Sequence, residues 1–169
     1  MISLRRLHGT QEGQFLEAVK GSRGLHGDWV SPPSTAEEFA SHLARHDGLR
    51  AISYVAVLDD LELVGCINLG EIVRGAFQSA YLGYYVFEPY AGQGLMRQAL
   101  SQVIAEAFSV LGLHRLEANI QPANTSSVAL VSGLGFRLEG LSPRYLKIAG
   151  AWRDHERYAI TVEDIRGAT

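Results

Sequence analysis

One stretch of the chain combines residue types that could bind a phosphate group. Residues 81–87 are mostly aromatic or β-branched, and Gly92 and Gly94 stand shortly before the helical sequence 95–100. This order predicts a strand, a glycine-rich turn and the N-terminus of a helix. Backbone N–H groups at such a turn, together with the positive end of the helix dipole, attract an anion. The stretch therefore predicts a phosphate-binding loop.

Two common phosphate-binding loops do not fit these residues. A Walker loop needs Lys and then Ser or Thr after its last glycine, whereas Leu95 and Met96 follow Gly94. A dinucleotide-binding loop needs a third glycine where Arg97 stands, and it follows a strand of a parallel run. A tight strand-to-helix turn without any ligand is the structural alternative.

The composition indicates one soluble globular domain over residues 1–169. Of its residues, 47% are hydrophobic and 20% are charged, and the net charge of -3 argues against nucleic-acid binding. Cys66 is the only cysteine, which excludes an internal disulfide and a cysteine-based zinc site, so we expect no metal. No apolar run of about 18 residues occurs and residues 1–6 lack a signal-peptide pattern. We therefore expect a cytoplasmic protein that does not enter a membrane.

Hydrophobic periodicity predicts seven strands and four helices around this loop. The strands are expected at 2–8, 51–58, 63–72, 79–87, 114–120, about 136–148 and about 152–162, and the helices at 10–20, 35–47, 95–111 and 124–134. Residues 22–34 are rich in Gly and Pro and predict a loop that contains Trp29. Trp29 either anchors this loop or forms a wall that faces a substrate, and its large apolar area favours the anchor.

The order of these elements predicts an α/β fold. Three strands joined by short turns, at 51–58, 63–72 and 79–87, indicate an antiparallel meander. The following helix and the strand at 114–120 then form a right-handed crossover, so strands four and five should be parallel. We expect a mixed, mostly antiparallel sheet of about seven strands with four helices. The sheet should part between strands four and five.

Short motifs in a fixed order along residues 63–160 connect the chain to a known family. They are Val73–Gly75, Tyr81–Tyr84, Gly92–Met96, His114–Arg115, Ala118–Asn119, Leu134–Phe136 and Trp152–His155. Together they resemble the RimJ and RimL enzymes of the GNAT superfamily, which acetylate N-terminal amines of ribosomal proteins. Before residue 60 only Leu25, His26 and Trp29 match that family. The resemblance implies a GNAT fold and acetyl-CoA as co-substrate.

The resemblance also implies which residues bind acetyl-CoA. The pyrophosphate would lie on Ala91, Gly92, Gln93, Gly94, Leu95 and Met96, and the pantetheine arm would pair with Tyr85, Val86 and Phe87. The backbone N–H of Val86 would then polarise the thioester carbonyl. Ala91 and Met96 depart from the family pattern Q/R-x-x-G-x-G/A at its first and last positions. The loop should therefore offer one side-chain contact fewer and a tighter fit.

An N-x-x-S motif supplies the remaining implied site residues. Asn124 matches a residue that contacts the coenzyme, and Ser127 matches one proposed to protonate the leaving thiolate. Asn124 is equally suited to cap the following helix, and one side chain could not easily do both. Many superfamily members carry a Tyr general acid where this chain has Val131. Ser127 is then the local proton donor.

The general base is less clearly marked than the donor. Rim-type enzymes often carry an acidic residue just before the Tyr-Leu of strand six, where this chain has Arg144. The candidates that remain are Glu71, Glu88, Glu117 and a chain of water molecules. An α-amino group has a pKa of about 8, against about 10.4 for lysine, so it needs less help to attack near neutral pH. This difference favours an N-terminal amine as the acceptor.

We therefore predict an acetyl-CoA-dependent N-acetyltransferase that acts by direct attack on the N-terminal amine of a protein or peptide, such as a ribosomal protein. A small-molecule amine or an antibiotic is an alternative acceptor. A coenzyme-binding module without turnover is a third hypothesis, suggested by Val131 and Arg144. The expected partners are acetyl-CoA and the acceptor, and the protein is expected to be a monomer or homodimer.

Overall fold

Seven strands form a single sheet in the computed structural model, which describes residues 1–167. Their order across the sheet is β1-β2-β3-β4-β5-β7-β6. The strands are β1 (Ile2–Arg6), β2 (Ile52–Leu58), β3 (Glu62–Val73), β4 (Ser79–Val86), β5 (Arg115–Ile120), β6 (Arg137–Ile148) and β7 (Ala151–Thr161). The helices are α1 (Glu12–Gly21), α2 (Arg23–His26), α3 (Ala36–Arg45), α4 (Leu95–Ser109), α5 (Thr125–Gly133) and α6 (Val162–Arg166). Within the described residues, no helix is both long enough and apolar enough to cross a bilayer.

The predicted fold class and strand arrangement are confirmed. Strands β2, β3 and β4 form the antiparallel meander, and β4 runs parallel to β5. The parallel pairing covers only Ser79–Tyr81, whereas β4 continues to pair with β3 as far as Val86. The sheet therefore parts beyond Tyr81, between strands four and five.

Two short helices were not predicted from the sequence. Helix α2 lies in the segment 22–34 that we expected to be a loop, and α6 follows the last strand. They have four and five residues, which is little more than one turn and too short to produce a periodic hydrophobic pattern. The four predicted helices are all present, and their ends lie within two residues of the expected ones.

The two faces of the sheet are covered differently. Helices α4 and α5 cover one face along the whole of the central strands, with buried residues such as Leu100, Leu116 and Val131 between them. Helices α1 and α3 cover the other face, where Phe15 and Phe39 pack on β2 and β3. Among the described residues, this second cluster includes none from β5, β6 or β7. That half of the face carries polar residues such as Glu117, Asn119 and Arg157 beside smaller apolar ones.

Buried polar groups lie between α3 and the sheet. The Ser53 hydroxyl donates to Asn68 Oδ1 over 2.6 Å, so its oxygen accepts from His42 Nε2 at 3.0 Å. The His42 ring also stacks on His46, with 3.9 Å between the ring centroids. Burial is the main cause that lowers the pKa of His42 to about 4, and the neighbouring His46 and Arg45 lower it further. His42 is therefore neutral in the folded protein near pH 7.

The low pKa of His42 predicts a loss of stability in mild acid. An unfolded histidine takes up its proton near pH 6.5, about 2.5 pH units above the folded one, so the unfolded state binds more protons in this window. The free energy of unfolding should thus fall as the pH drops from about 6.5 to about 4. His42→Gln, which cannot titrate, should show a weaker fall in urea unfolding. Equal pH dependence in the two proteins would contradict this account.

Gly65 allows β3, β4 and α4 to approach closely. A Cβ atom at Gly65 would lie 2.6 Å from the carbonyl oxygen of Tyr85 and would overlap the methyl group of Met96. Contacts this short force backbone or side chains to move. The glycine thus sets the position of the strand-turn-helix unit that begins with β4.

We expect Gly65→Ala to lower the free energy of unfolding by about 1–3 kcal/mol, because the added methyl group overpacks this contact. Gly70→Ala on the same strand is the matched control, since nothing lies within 4 Å of a Cβ there. Urea denaturation measures both variants. If the two substitutions cost the same, close packing at Gly65 is not what holds the unit in place.

Candidate functional site

A cavity of about 460 Å³ opens where β4 and β5 separate. Eight of the residues predicted to form the site line it: Tyr85, Val86, Ala91, Gly92, Gly94, Met96, Asn124 and Ser127. The lining also includes residues to which the sequence analysis gave no role in coenzyme binding or catalysis: Leu25, His26, Trp29, Val30, Tyr84, Tyr90, Arg97, Ser126 and Leu130. Its volume is typical of a ligand pocket. The structure therefore brings the glycine loop, β4 and the start of α5 to one place.

Three predicted coenzyme residues do not line this cavity. Phe87 is fully buried, and its N–H donates to the Val64 carbonyl over 2.8 Å, so that N–H is not open to a pantetheine arm. Gln93 turns back to donate to the Pro89 carbonyl over 2.8 Å. Leu95 packs against the core under α4. Phe87 and Leu95 pack against the interior, and Gln93 stabilises the turn.

The pairing of β4 with β3 determines which backbone groups face the opening. Since Phe87 bonds to Val64, its neighbour Val86 forms a non-hydrogen-bonded pair with Gly65. The N–H and C=O of Val86 consequently point away from β3 and toward the gap. The C=O accepts from His26 Nε2 over 2.8 Å. The N–H of Val86 faces the place where the sequence predicts a thioester carbonyl.

Ser22 and His26, at the two ends of the α2 segment, hold the end of β4 in place. The sequence predicted neither of these contacts. His26 bonds to Val86, and burial lowers the pKa of its ring although that carbonyl and Glu88 act in the opposite direction. The Ser22 hydroxyl accepts from the Glu88 N–H over 2.9 Å and donates to the Ala18 carbonyl. The bonds to Val86 and Glu88 join residues 60 or more positions apart. No local sequence pattern reports such contacts.

Trp29 forms part of the cavity wall. It is half-buried and lines the cavity beside His26 and Val30. Gln121, just beyond β5, donates to the carbonyl of the adjacent Asp28 over 2.9 Å. This bond holds the α2 segment across the opening. Trp29 therefore occupies the position expected of a wall residue, and it is half-buried there.

The glycine loop has the backbone conformation needed for an anion cradle. Gly92 and Gly94 have φ angles of 75° and 74°, which side chains other than glycine rarely adopt. Nothing lies within 4 Å of a Cβ built on either residue. Gly94 is also the N-cap of α4, and within the described residues the first N–H groups of that helix receive no side-chain bond from their N-cap. These groups fit the pyrophosphate of a coenzyme.

Asn124 caps α5 and still has a polar group available for a ligand. Its Oδ1 accepts from the Ser127 N–H at 3.4 Å and from the Ser126 hydroxyl at 3.3 Å, so it caps α5. Both bonds use the oxygen of the amide. The Nδ2 group remains available as a donor to a ligand in the cavity. Capping therefore leaves the nitrogen end of the side chain free to contact a ligand.

A second hydroxyl lies beside Ser127. The Tyr84 hydroxyl, on β4, is 2.6 Å from Ser127 Oγ, and both residues line the cavity. From the sequence, Tyr84 was expected only as part of a family motif. Val131, one turn after Ser127, is fully buried and carries no donor. The cavity thus holds a pair of adjoining hydroxyl groups.

The candidate bases occupy different places. Glu117 lies opposite Tyr81 in the last parallel pair before the gap, and it accepts from Arg115 Nε over 2.9 Å. Glu71 is exposed on an irregular part of β3, and Glu88 is exposed beside His26. Among the three, Glu117 occupies the strand position at which the sheet opens.

The comparisons with known proteins place this architecture in a family. A family model for the acetyltransferase (GNAT) domain matches residues 4–137. The chain belongs to the GNAT family. Acetyl-CoA is the co-substrate of that family.

This GNAT chain is similar to several acetyltransferases. Over 106 residues it is 41% identical to the [ribosomal protein uS5]-alanine N-acetyltransferase of Escherichia coli, covering 63% of the chain and 55% of that enzyme. RimJ of Mycobacterium smegmatis, solved in complex with CoA-disulfide, superposes with a TM-score of 0.89 at 31% identity, covering 97% of the chain and 83% of RimJ. The spermidine N-acetyltransferase of Vibrio cholerae shares the fold, with a TM-score of 0.82 at 21% identity and 96% of each chain covered. The chain spans a little more than half the length of the curated relatives it matches.

We expect Gly94→Ala to weaken CoA binding about tenfold, because a Cβ would project into the open cradle and disfavour the loop conformation. Gly112→Ala is the matched control. Gly112 has a similar φ of 66° and also has nothing within 4 Å of a Cβ, but it lies beyond the other end of α4. Both variants should lose similar stability, whereas calorimetry should show reduced CoA affinity only for Gly94→Ala. Equal affinities in the two variants would rule out the cradle.

Proposed function

We propose that this GNAT chain transfers an acetyl group from acetyl-CoA to the N-terminal amine of a protein or peptide, by direct attack in a ternary complex. One observation carries the proposal: a single cavity joins the glycine loop, the inward Val86 N–H and the Ser127 hydroxyl. A coenzyme held at the loop would extend along β4 toward Ser127. The acceptor would approach from the opposite face of the sheet.

The residues of the cavity have separate roles in the transfer. The amine forms a C–N bond with the thioester carbon, and the C–S bond then breaks. The Val86 N–H donates to the carbonyl oxygen while that oxygen is negatively charged. Ser127 protonates the leaving sulfur. Asn124 Nδ2 and the N–H groups at the start of α4 bind the remainder of the coenzyme.

Glu117 is the proposed base on the acceptor face. It lies at the opening of the sheet and on the opposite face from Leu116, which packs under α4. Asn119, two residues further along β5, has a buried Oδ1 without a hydrogen-bond partner among the described residues. Because alternate residues of a strand share a face, both side chains lie on the side from which the amine enters. Asn119 would accept from the amine, and Glu117 would take its proton.

The charges on this face favour a peptide over a polyamine. Arg115 donates to Glu117 over 2.9 Å and to Glu139 over 3.0 Å, which neutralises much of the local acid. Arg157 stands opposite Asn119 on β7 and adds a further cation. A polyamine site needs several uncompensated carboxylates to bind a chain of positive charges. The similarity to the uS5 enzyme of Escherichia coli agrees with an N-terminal amine.

Thiol release from acetyl-CoA tests the acceptor directly. The panel contains peptides with a free N-terminus, the same peptides with a blocked N-terminus and an internal lysine, and spermidine. We expect release only with free N-termini, together with one added acetyl group at the first residue by mass spectrometry. Release with spermidine alone would assign a small-amine acetyltransferase instead. No release with any amine would leave a coenzyme-binding module.

We expect Ser127→Ala to lower kcat by about 100-fold or more while the affinity for CoA stays within about twofold, because only the protonation step loses its donor. Ser132→Ala on the same helix is the control, since that residue is exposed and lies outside the cavity lining. Steady-state kinetics and calorimetry measure the two effects. Wild-type turnover in Ser127→Ala would assign proton donation elsewhere.

A further inference from the structure

Tyr84 is built into the wall of the cavity with its hydroxyl against Ser127. The ring packs on the core cluster under α4 and α5. Its hydroxyl lies 2.6 Å from Ser127 Oγ and 3.3 Å from the Ser127 carbonyl oxygen. Hydrogen bonds between hydroxyl groups are usually 2.5–3.0 Å long. The contact with Oγ is therefore the principal bond of this phenol.

The direction of this bond decides what Ser127 can do. If Ser127 donated to Tyr84, its proton would point into the wall and away from the cavity. If Tyr84 donates, the Ser127 proton is free to point into the cavity, and its oxygen is stabilised as that proton departs. A thiolate in the cavity attracts the Ser127 proton and so selects the second arrangement. Tyr84 then donates and Ser127 passes its own proton on.

We infer that Tyr84 is a positioning residue that acts through Ser127: it orients the serine hydroxyl toward the sulfur of the coenzyme and replaces the proton that Ser127 gives up. This inference rests on the proposed function of the cavity. Many members of the superfamily carry a Tyr proton donor at the position of Val131. Val131 is buried and apolar, so it cannot donate a proton, and the inference assigns that supply of protons to Tyr84.

The proton balance of the relay is complete. As the C–S bond breaks, its electron pair stays on sulfur, and the Ser127 O–H bond breaks while an S–H bond forms. The Tyr84 O–H bond breaks in the same movement, and its proton goes to Ser127 Oγ. Water then returns a proton to the Tyr84 oxygen after the products leave.

A phenol is better suited than serine to be the source of this proton. A phenol ionises with a pKa near 10, whereas a serine hydroxyl is a much weaker acid. Burial raises the pKa of Tyr84 to about 12, and the bond with Ser127 acts against this rise. Tyr84 therefore carries its proton at neutral pH, so this proton is present when Ser127 gives up its own.

Other phenols near the cavity do not offer this contact. The Tyr90 hydroxyl donates to Glu62 over 2.6 Å. Tyr85 lies on the opposite face of β4, where its ring packs beside Phe87. Among the described residues, Tyr84 is the phenol bonded to Ser127.

A double-mutant cycle tests the relay. The variants are Tyr84→Phe, Ser127→Ala and the combination. Tyr158→Phe is the control, because the Tyr158 hydroxyl also donates to one side chain, Glu156, over 2.6 Å, but Tyr158 lies outside the cavity lining. We expect Tyr84→Phe to lower kcat at least tenfold with KM for acetyl-CoA within about twofold. Adding Tyr84→Phe to Ser127→Ala should change kcat by less than about twofold. Tyr158→Phe should retain kcat. Multiplicative losses in the double variant, or unchanged kcat in Tyr84→Phe, would overturn the inference.

A titration of bound CoA tests the same contact without any acceptor. Donors near a thiolate favour its charged form and lower the pKa of the thiol. Ultraviolet absorbance of the thiolate should therefore show a higher pKa for CoA bound to Tyr84→Phe or to Ser127→Ala than to the wild type. An equal pKa in wild type and Tyr84→Phe would overturn the relay. If no amine supports turnover while these pKa values differ, the proposed function fails but the hydroxyl contact stands.

Discussion

The site depends on the incomplete pairing of β4. One edge of this strand is bonded to β3 along its length, whereas the other edge meets β5 only as far as Tyr81. Beyond that point, backbone groups that a continuous sheet would satisfy lack a strand partner. His26 satisfies the C=O of Val86, and the N–H is left facing the cavity. A binding edge thus arises from the geometry of the sheet and needs no special side chain.

The elements around the gap fix its shape. Gly65 lets β3 and α4 approach, so the glycine loop lies directly against the end of β4. Ser22 and His26 fasten α2 to the same strand end, and Gln121 joins that segment to β5. The α2 segment is therefore bonded to both strands that border the opening, β4 and β5. A rigid opening positions a ligand at a low entropic cost.

In the site that we propose, neighbouring hydroxyl and amide groups combine structural and chemical roles. Asn124 caps α5 with its oxygen and keeps its nitrogen for a ligand. Ser127 begins the same helix, yet its hydroxyl reaches Tyr84 of β4, 43 residues away in sequence. The proton relay that we propose therefore requires the helix and the strand to be packed together. It belongs to the folded chain and not to either segment alone.

The sequence by itself determined the elements with a strong local signal. Alternating or continuous apolar runs between turn residues predicted all seven strands, the apolar stripe predicted α4, and the glycines at 92 and 94 predicted the loop. The order of the elements predicted the position of the gap, and short motifs in a fixed order predicted the family. Only the tertiary structure decided which groups meet there. His26 bonds to the Val86 carbonyl, Tyr84 bonds to Ser127, and Phe87 is buried in the core. These contacts join segments far apart in the chain, and local periodicity carries no information about which distant residues come within hydrogen-bond distance.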